Sequence, residues 1–212
     1  KINLKKIKVV LFDFDGVLID SLSVMEKAWE ITKNKYYLNS EFKDFSKYIG
    51  IPFLSILENL GIDKAKHHLV KKSYAREASK NIKLISLNPY VSNLFSWLSN
   101  NHIKIGIVTS KDSIRTAELI EYLNLNVDLV ITPELTTKGK PHPEPLLFAV
   151  KKLSLNIEDA LFVGDMVTDM KAAYSANCKY LHYLCGYQKI KNPQYGGSIS
   201  SLLEIKEYIL GL

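Results

Sequence analysis

The sequence predicts an open parallel α/β sheet with helices on both faces, interrupted by an all-helical insertion. Three observations carry this. Short apolar runs at 9–12, 103–108 and 160–164 each end in a carboxylate or hydroxyl residue. From Pro89 onward apolar runs alternate with amphipathic stretches, as in parallel strands joined by crossover helices. Between Ile19 and Leu87 no convincing strand pattern occurs, and helical periodicity fills the segment instead.

In chain order, the first strand ends at Asp13. A helix over 21–35 places Leu22, Met25, Trp29 and Thr32 on one face. A second follows Pro52 with Phe53, Ile56, Leu57 and Leu60, and Gly61 stops it as glycine does past a helix end. A third, lysine-rich, covers 63–81 with Leu69 and Val70 inside it. A helix over 90–100 then leads to the strand ending at Thr109, and one over 113–123 to a strand at 129–132. The next helix, 144–153, has Pro143 and Pro145 suited to its first turn. The strand ending at Gly164, a helix over 169–177, a strand at 180–184 and a helix over 202–210 complete the chain. With 212 residues, a core of 1–17 and 88–212 plus an insertion of 18–87 falls within ordinary domain sizes.

Composition narrows the partners. The net charge of +6 is carried almost wholly by lysine; Arg76 and Arg115 are the two arginines. Phosphate and base recognition in nucleic acid favours arginine's planar fork, and these lysines are dispersed rather than striped, so no nucleic acid partner is expected. Cys178 and Cys185 form no C-x-x-C pair and no disulfide framework, which points to a reducing, cytoplasmic setting. The basic, then apolar, start resembles a leader, but Asp13 and Asp15 interrupt it and no small-residue cleavage site follows. No run of about 18 apolar residues occurs, so no membrane span is expected.

The chemistry-bearing residues all fall just past predicted strand ends, where an open parallel sheet binds ligands. Asp13 and Asp15, two apart, point to one side while Phe14 points away. Two such carboxylates suit a divalent metal, or a nucleophile beside an acid/base; they also suit a solvated turn before Gly16. Asp165 and Asp169 offer hard oxygen ligands fitting Mg2+, although Asp169 also suits a helix N-terminus. Thr109 and Ser110 fit either an N-cap or an anion site. Lys140, between glycine and proline, is placed to hold a phosphate. His142 reads as a turn residue, and the adjacent His67 and His68 make a poor metal pair.

Taken together, Asp13-Phe-Asp-Gly-Val-Leu-Ile-Asp-Ser21, Val108-Thr-Ser-Lys111, Gly139-Lys-Pro-His-Pro-Glu144 and Gly164-Asp-Met-Val-Thr-Asp169 resemble the haloacid dehalogenase (HAD) superfamily. The first and third motifs are especially similar to its phosphoglycolate phosphatase and β-phosphoglucomutase branch. The resemblance implies a Rossmann-like core and a helical cap over 18–87. It implies Asp13 as nucleophile and Asp15 as acid/base. Thr109, the Ser110 amide and Lys140 would bind phosphoryl oxygens, and Mg2+ would be held by Asp13, the Asp15 carbonyl and Asp165, with Asp169 nearby.

The reading that results is a Mg2+-dependent phosphatase acting on a small-molecule phosphate ester, as monomer or homodimer. A phosphomutase and a non-catalytic binding protein on the same fold are the alternatives. The loop 48–53 resembles the family's specificity segment, and Lys47 and Tyr48 are the side chains expected at the leaving group.

Overall fold

The computed structural model describes residues 7–211. The basic start at 1–6, with the opening of the expected core segment and the leader question, lies outside the described residues, as does Leu212. The elements in order are β1 (Val9–Phe12), β2 (Ile19–Asp20), α1 (Leu22–Tyr36), α2 (Phe42–Ser46), α3 (Phe53–Asn59), α4 (Lys64–Lys80), β3 (Ser86–Leu87), α5 (Val91–Asn100) and β4 (Lys104–Val108). They continue with α6 (Ser113–Tyr122), β5 (Leu129–Ile131), α7 (Glu144–Lys152), β6 (Ala160–Gly164), α8 (Val167–Ala176), β7 (Lys179–Tyr183), β8 (Gly197–Ile199) and α9 (Glu204–Leu210).

Among the described residues the main sheet has six strands in the order β5-β4-β1-β6-β7-β8, and every pairing is parallel. The chain builds outward from β1 first to one side and then to the other, so the strand order reverses between β1 and β6. That reversal opens a crevice beyond the strands' carboxyl ends. β1 is buried along its whole length, and its alternate residues feed two cores. Val10 and Phe12 face a cluster with Leu94, Leu98, Ile107 and Leu202. Val9 and Leu11 face the other, with Leu146, Ala149, Phe162 and Ala173. Burial on both faces is why this strand reads as a continuous apolar run.

The segment between β1 and α5 is helical, with its own apolar cluster of Met25, Trp29, Phe45, Ile49, Ile56, Leu57 and Val70. Trp29 is wholly buried, its ring 4.8 Å from Phe45 and its indole N–H donating to the Ser40 carbonyl at 3.0 Å. The segment leaves and returns through a two-stranded antiparallel ribbon in which Ile19 pairs with Leu87 and Asp20 with Ser86.

Four features depart from the expected pattern. α2 and β8 are too short for periodicity to reveal, and the β2–β3 ribbon is stabilised only by residues far apart in sequence. α8 begins at Val167 rather than Asp169, which puts Asp169 inside its first turn. Among the described residues no helix is long and apolar enough to cross a membrane.

Because Trp29 fills the centre of the helical segment, Trp29→Ala is expected to cost about 3–5 kcal/mol. Urea denaturation measures it; a loss below about 1 kcal/mol would contradict the packing described.

Candidate active site

Sheet register gathers the predicted residues. Phe12 lies opposite Ile107 on β4 and Val163 on β6. Asp13 therefore stands one step beyond the strands' paired ends, level with Val108 and Gly164 and next to Thr109 and Asp165. The Asp13 amide extends this ladder by donating to the Val163 carbonyl at 2.9 Å.

Lys140 lies behind Asp13, almost fully buried. Its ammonium has three protons and three acceptors: Asp13 Oδ1 at 3.0 Å, Asp169 Oδ1 at 2.7 Å and the Val108 carbonyl at 3.1 Å. The two carboxylates raise the lysine's pKa against the opposing effect of its burial. Asp169 is equally committed, since its Oδ2 accepts from the amides of Asp165 and Met166 at 3.1 and 3.0 Å. Asp169 thus anchors the N-terminus of α8 and lies beside Asp13 and Asp165.

Asp13 is held by one oxygen only. Its Oδ1 takes the Phe14 amide at 2.8 Å as well as Lys140, and no described group bonds to Oδ2. Burial first, and then the Asp169 charge, push the Asp13 carboxyl up to about 7 despite Lys140. The same two influences, burial ahead of neighbouring Asp13 and Asp169, drive Asp165 well above the usual carboxylate range.

These features fit a cation. Ligand oxygens of Asp13, Asp165 and Asp169 lie within 4.8 Å of one another. Asp165 Oδ1 is buried and has no hydrogen-bond partner. Asp13, Asp15, Asp165 and Asp169 crowd four carboxyl groups around the ammonium groups of Lys140 and Lys111, and a bound divalent cation would relieve the cost of ionising them together. Gly16, at φ +86°, and Gly186 close on Asp165 from two sides. A Cβ on Gly16 would stand 2.1 Å from Asp165 Oδ2, and one on Gly186 2.2 Å from Asp165 Cβ, so only glycine fits there.

The Asp15 carboxylate is placed differently. Its Oδ1 accepts from Ser21 Oγ at 2.5 Å, and its Oδ2 is 3.3 Å from Lys111 Nζ. Lys111 and Ser21 both lie inside the motif segments, yet nothing in a hydroxyl or lysine by itself marks it as an Asp15 partner.

A cavity of about 300 Å3 opens beside Asp13 and Asp15, with Thr109, Ser110 and Lys111 on its core side. Phe45, Phe53 and Tyr74 of the helical segment form the opposite wall. The Tyr74 ring lies 4.6 Å from Phe53 and 5.7 Å from Phe45. Lys140 is not at this wall; Lys111 is the lysine the core presents there. Ser110 Oγ donates to the Gly50 carbonyl at 2.7 Å, so the loop 48–53 reaches the core strand ends. The expectation for Lys47 and Tyr48 is corrected. Lys47 is exposed and paired with Asp44 at 2.8 Å, while Tyr48 packs on the helical segment's apolar cluster. The lysine and tyrosine that do reach the cavity are Lys71 and Tyr74, one turn apart on α4.

Comparison with known proteins agrees with this architecture. The family described as haloacid dehalogenase-like hydrolase matches residues 10–183. A phosphoglycolate phosphatase of Nitrosococcus oceani is 27% identical over 221 residues, covering 97% of this chain and 98% of its own length. The pyrophosphatase PpaX of Oceanobacillus iheyensis is 28% identical over 173 residues, covering 81% and 80%. Among solved structures, a hydrolase from Pseudomonas syringae has a TM-score of 0.85 at 22% identity, covering 96% of this chain and 98% of that one. CbbY from Rhodobacter sphaeroides, in complex with phosphate, has a TM-score of 0.85 at 15% identity over 97% and 100%.

Removing the buried ammonium would leave Asp13 and Asp169 without their shared counter-charge. Lys140→Met is expected to cost about 3–5 kcal/mol, the range for breaking a buried ion pair from one side. Urea unfolding of the variant would reveal this, and unchanged stability would refute the account of Lys140.

Proposed function

The chain belongs to the haloacid dehalogenase-like hydrolase family, and from that premise we propose that it is a Mg2+-dependent phosphatase releasing phosphate from a small phosphomonoester. The observation that carries this reading is the asymmetry of Asp13. One oxygen is pinned by Lys140 and the Phe14 amide, while the other is unbonded at a cavity flanked by Thr109 and Ser110.

In this reading Asp13 Oδ2 attacks phosphorus in line, the bond to the leaving oxygen breaks, and an aspartyl phosphate forms. Asp15 donates a proton to the departing alkoxide. It then removes one from the water that attacks the aspartyl phosphate and regenerates Asp13. A carboxylate nucleophile divides one difficult displacement into two easier ones. Thr109 and the Ser110 amide would orient the phosphoryl oxygens, and Lys140 would support them from behind Asp13, since phosphoryl transfer asks mainly for alignment and charge neutralisation. Mg2+ would be held by Asp13, Asp165 and the Asp15 carbonyl, with Asp169 fixing the Asp165 backbone; when bound, it supplies positive charge to offset the crowded anions.

We further propose that residues 18–87 act as a cap on a core of 1–17 and 88–212. The separate apolar cluster of the helical segment and the β2–β3 ribbon as its two-stranded connection support this. Such a connection permits hinge closure that shields the reaction from bulk water. The cavity wall of Phe45, Phe53 and Tyr74, with Lys71 on the same face of α4, would then select the leaving group. Phosphoglycolate and pyrophosphate are the substrates named for the relatives; each carries a second anionic group, for which Lys71 in the cavity lining would be the partner.

Asp13→Asn keeps the shape of the strand end but replaces the nucleophile, so phosphate release is expected to vanish with the fold retained by circular dichroism. Residual activity above a trace would overturn the assignment. Exhaustive chelation is expected to abolish activity and added Mg2+ to restore it, with Asp165→Ala weakening both activity and Mg2+ response; full activity in chelator would refute metal dependence. Lys71→Met is expected to lower kcat/KM for an anionic ester such as phosphoglycolate roughly tenfold or more, and for p-nitrophenyl phosphate by less. Equal losses on both substrates would remove Lys71 from selectivity.

A further inference from the structure

The loop after β7 reaches two of the aspartates from Tyr187, one directly and one through Ser21. The Tyr187 amide donates to Asp165 Oδ2 at 2.6 Å. Its phenolic oxygen accepts from the Ser21 amide at 2.9 Å and lies 3.0 Å from Ser21 Oγ. Ser21 Oγ in turn donates to Asp15 Oδ1 at 2.5 Å. A hydroxyl carries one proton. Because Ser21 gives its proton to Asp15, Tyr187 must be the donor to Ser21 Oγ, and the chain runs Tyr187 to Ser21 to Asp15.

Two further features mark this arrangement as more than loop packing. Ser21 occupies the N-cap position of α1 but makes no side-chain bond to that helix's amides, although serine at this position ordinarily does. Its hydroxyl has been diverted to Asp15. The loop is also anchored independently of Tyr187. His182 Nε2 pairs with the Gln188 carbonyl at 2.7 Å, and Gln188 Oε1 accepts from the Val167 amide at 2.7 Å. The loop backbone at Gly186 lies directly against Asp165.

We propose that Tyr187 is a positioning residue that fixes Asp15 relative to Asp165, so that Asp15 presents Oδ2 to the leaving oxygen. This rests on the reading of Asp15 as acid/base and Asp165 as metal ligand. Without the phenolic oxygen, the Ser21 amide loses its acceptor and the Ser21 hydroxyl loses its donor, so the hydroxyl can turn from Asp15 to cap α1. Asp15 then keeps Lys111 beside Oδ2 but loses the bond that fixes Oδ1, while the Tyr187 backbone still holds Asp165.

The test uses the full chain with Mg2+ and phosphoglycolate or p-nitrophenyl phosphate, whichever the wild type hydrolyses, with Asp13→Asn as the inactive control. Tyr187→Phe is expected to lower kcat roughly ten- to a hundredfold, the scale of a small misplacement of a reacting group, with KM within about twofold. Ser21→Ala is expected to match it, the double variant to lose no more than either single one, and Ser21→Thr to restore activity relative to Ser21→Ala. Wild-type kcat in Tyr187→Phe, a loss confined to KM, or losses that multiply in the double variant would overturn the proposal while the phosphatase reading stands. An active Asp13→Asn control would instead bring down the reading itself, and the proposal with it.

Discussion

The buried ammonium of Lys140 is the constraint on which the site depends. It joins β1 through Asp13, β4 through the Val108 carbonyl and the start of α8 through Asp169. Three chain segments on both sides of the strand-order reversal are thereby fixed to one point. Withdrawing an ammonium and two carboxylates from water costs several kcal/mol per ion before their attraction returns any of it. Well-packed apolar residues would hold the sheet together at least as well. The arrangement is therefore better explained by reactivity than by stability, as is usual where buried groups have strongly displaced pKa values.

Around that point, each aspartate is differentiated by its neighbours. Asp169 has both oxygens engaged, one by Lys140 and one by two amides, and serves as an anchor. Asp13 is fixed through one oxygen and open through the other. Asp165 is walled in by Gly16 and Gly186 with one oxygen unpaired, and Asp15 is turned toward Ser21 and Lys111. Four chemically identical groups acquire four environments, and division of labour among carboxylates arises in this way.

The helical segment supplies what the core lacks. The strand ends provide mainly charge and hydroxyls, with Pro133 and Met166 beside them, whereas Phe45, Phe53 and Tyr74 provide an aromatic wall on the other side of the cavity. The Ser110–Gly50 hydrogen bond and the Arg115 guanidinium, which donates to the Ala78 carbonyl at 3.2 Å, tie this wall to the strand ends. Excluding water strengthens electrostatic interactions within the cavity.

The sequence by itself determined the sheet, the helical insertion and the identities of the acidic residues. These follow from local patterns: apolar runs such as 9–12 and 160–164 form buried strands, and side chains two apart, like those of Asp13 and Asp15, share a side. Tertiary structure alone decided the partners. That Lys140 meets Asp13 and Asp169, that Lys71 and Tyr74 rather than Lys47 and Tyr48 reach the cavity, and that Tyr187 meets Ser21 across a separation of 166 residues depend on how distant elements pack. A residue's type and spacing fix which face it lies on. They do not fix what that face meets, because hydrogen bonds and ion pairs are short-ranged and form only after packing has brought the segments together.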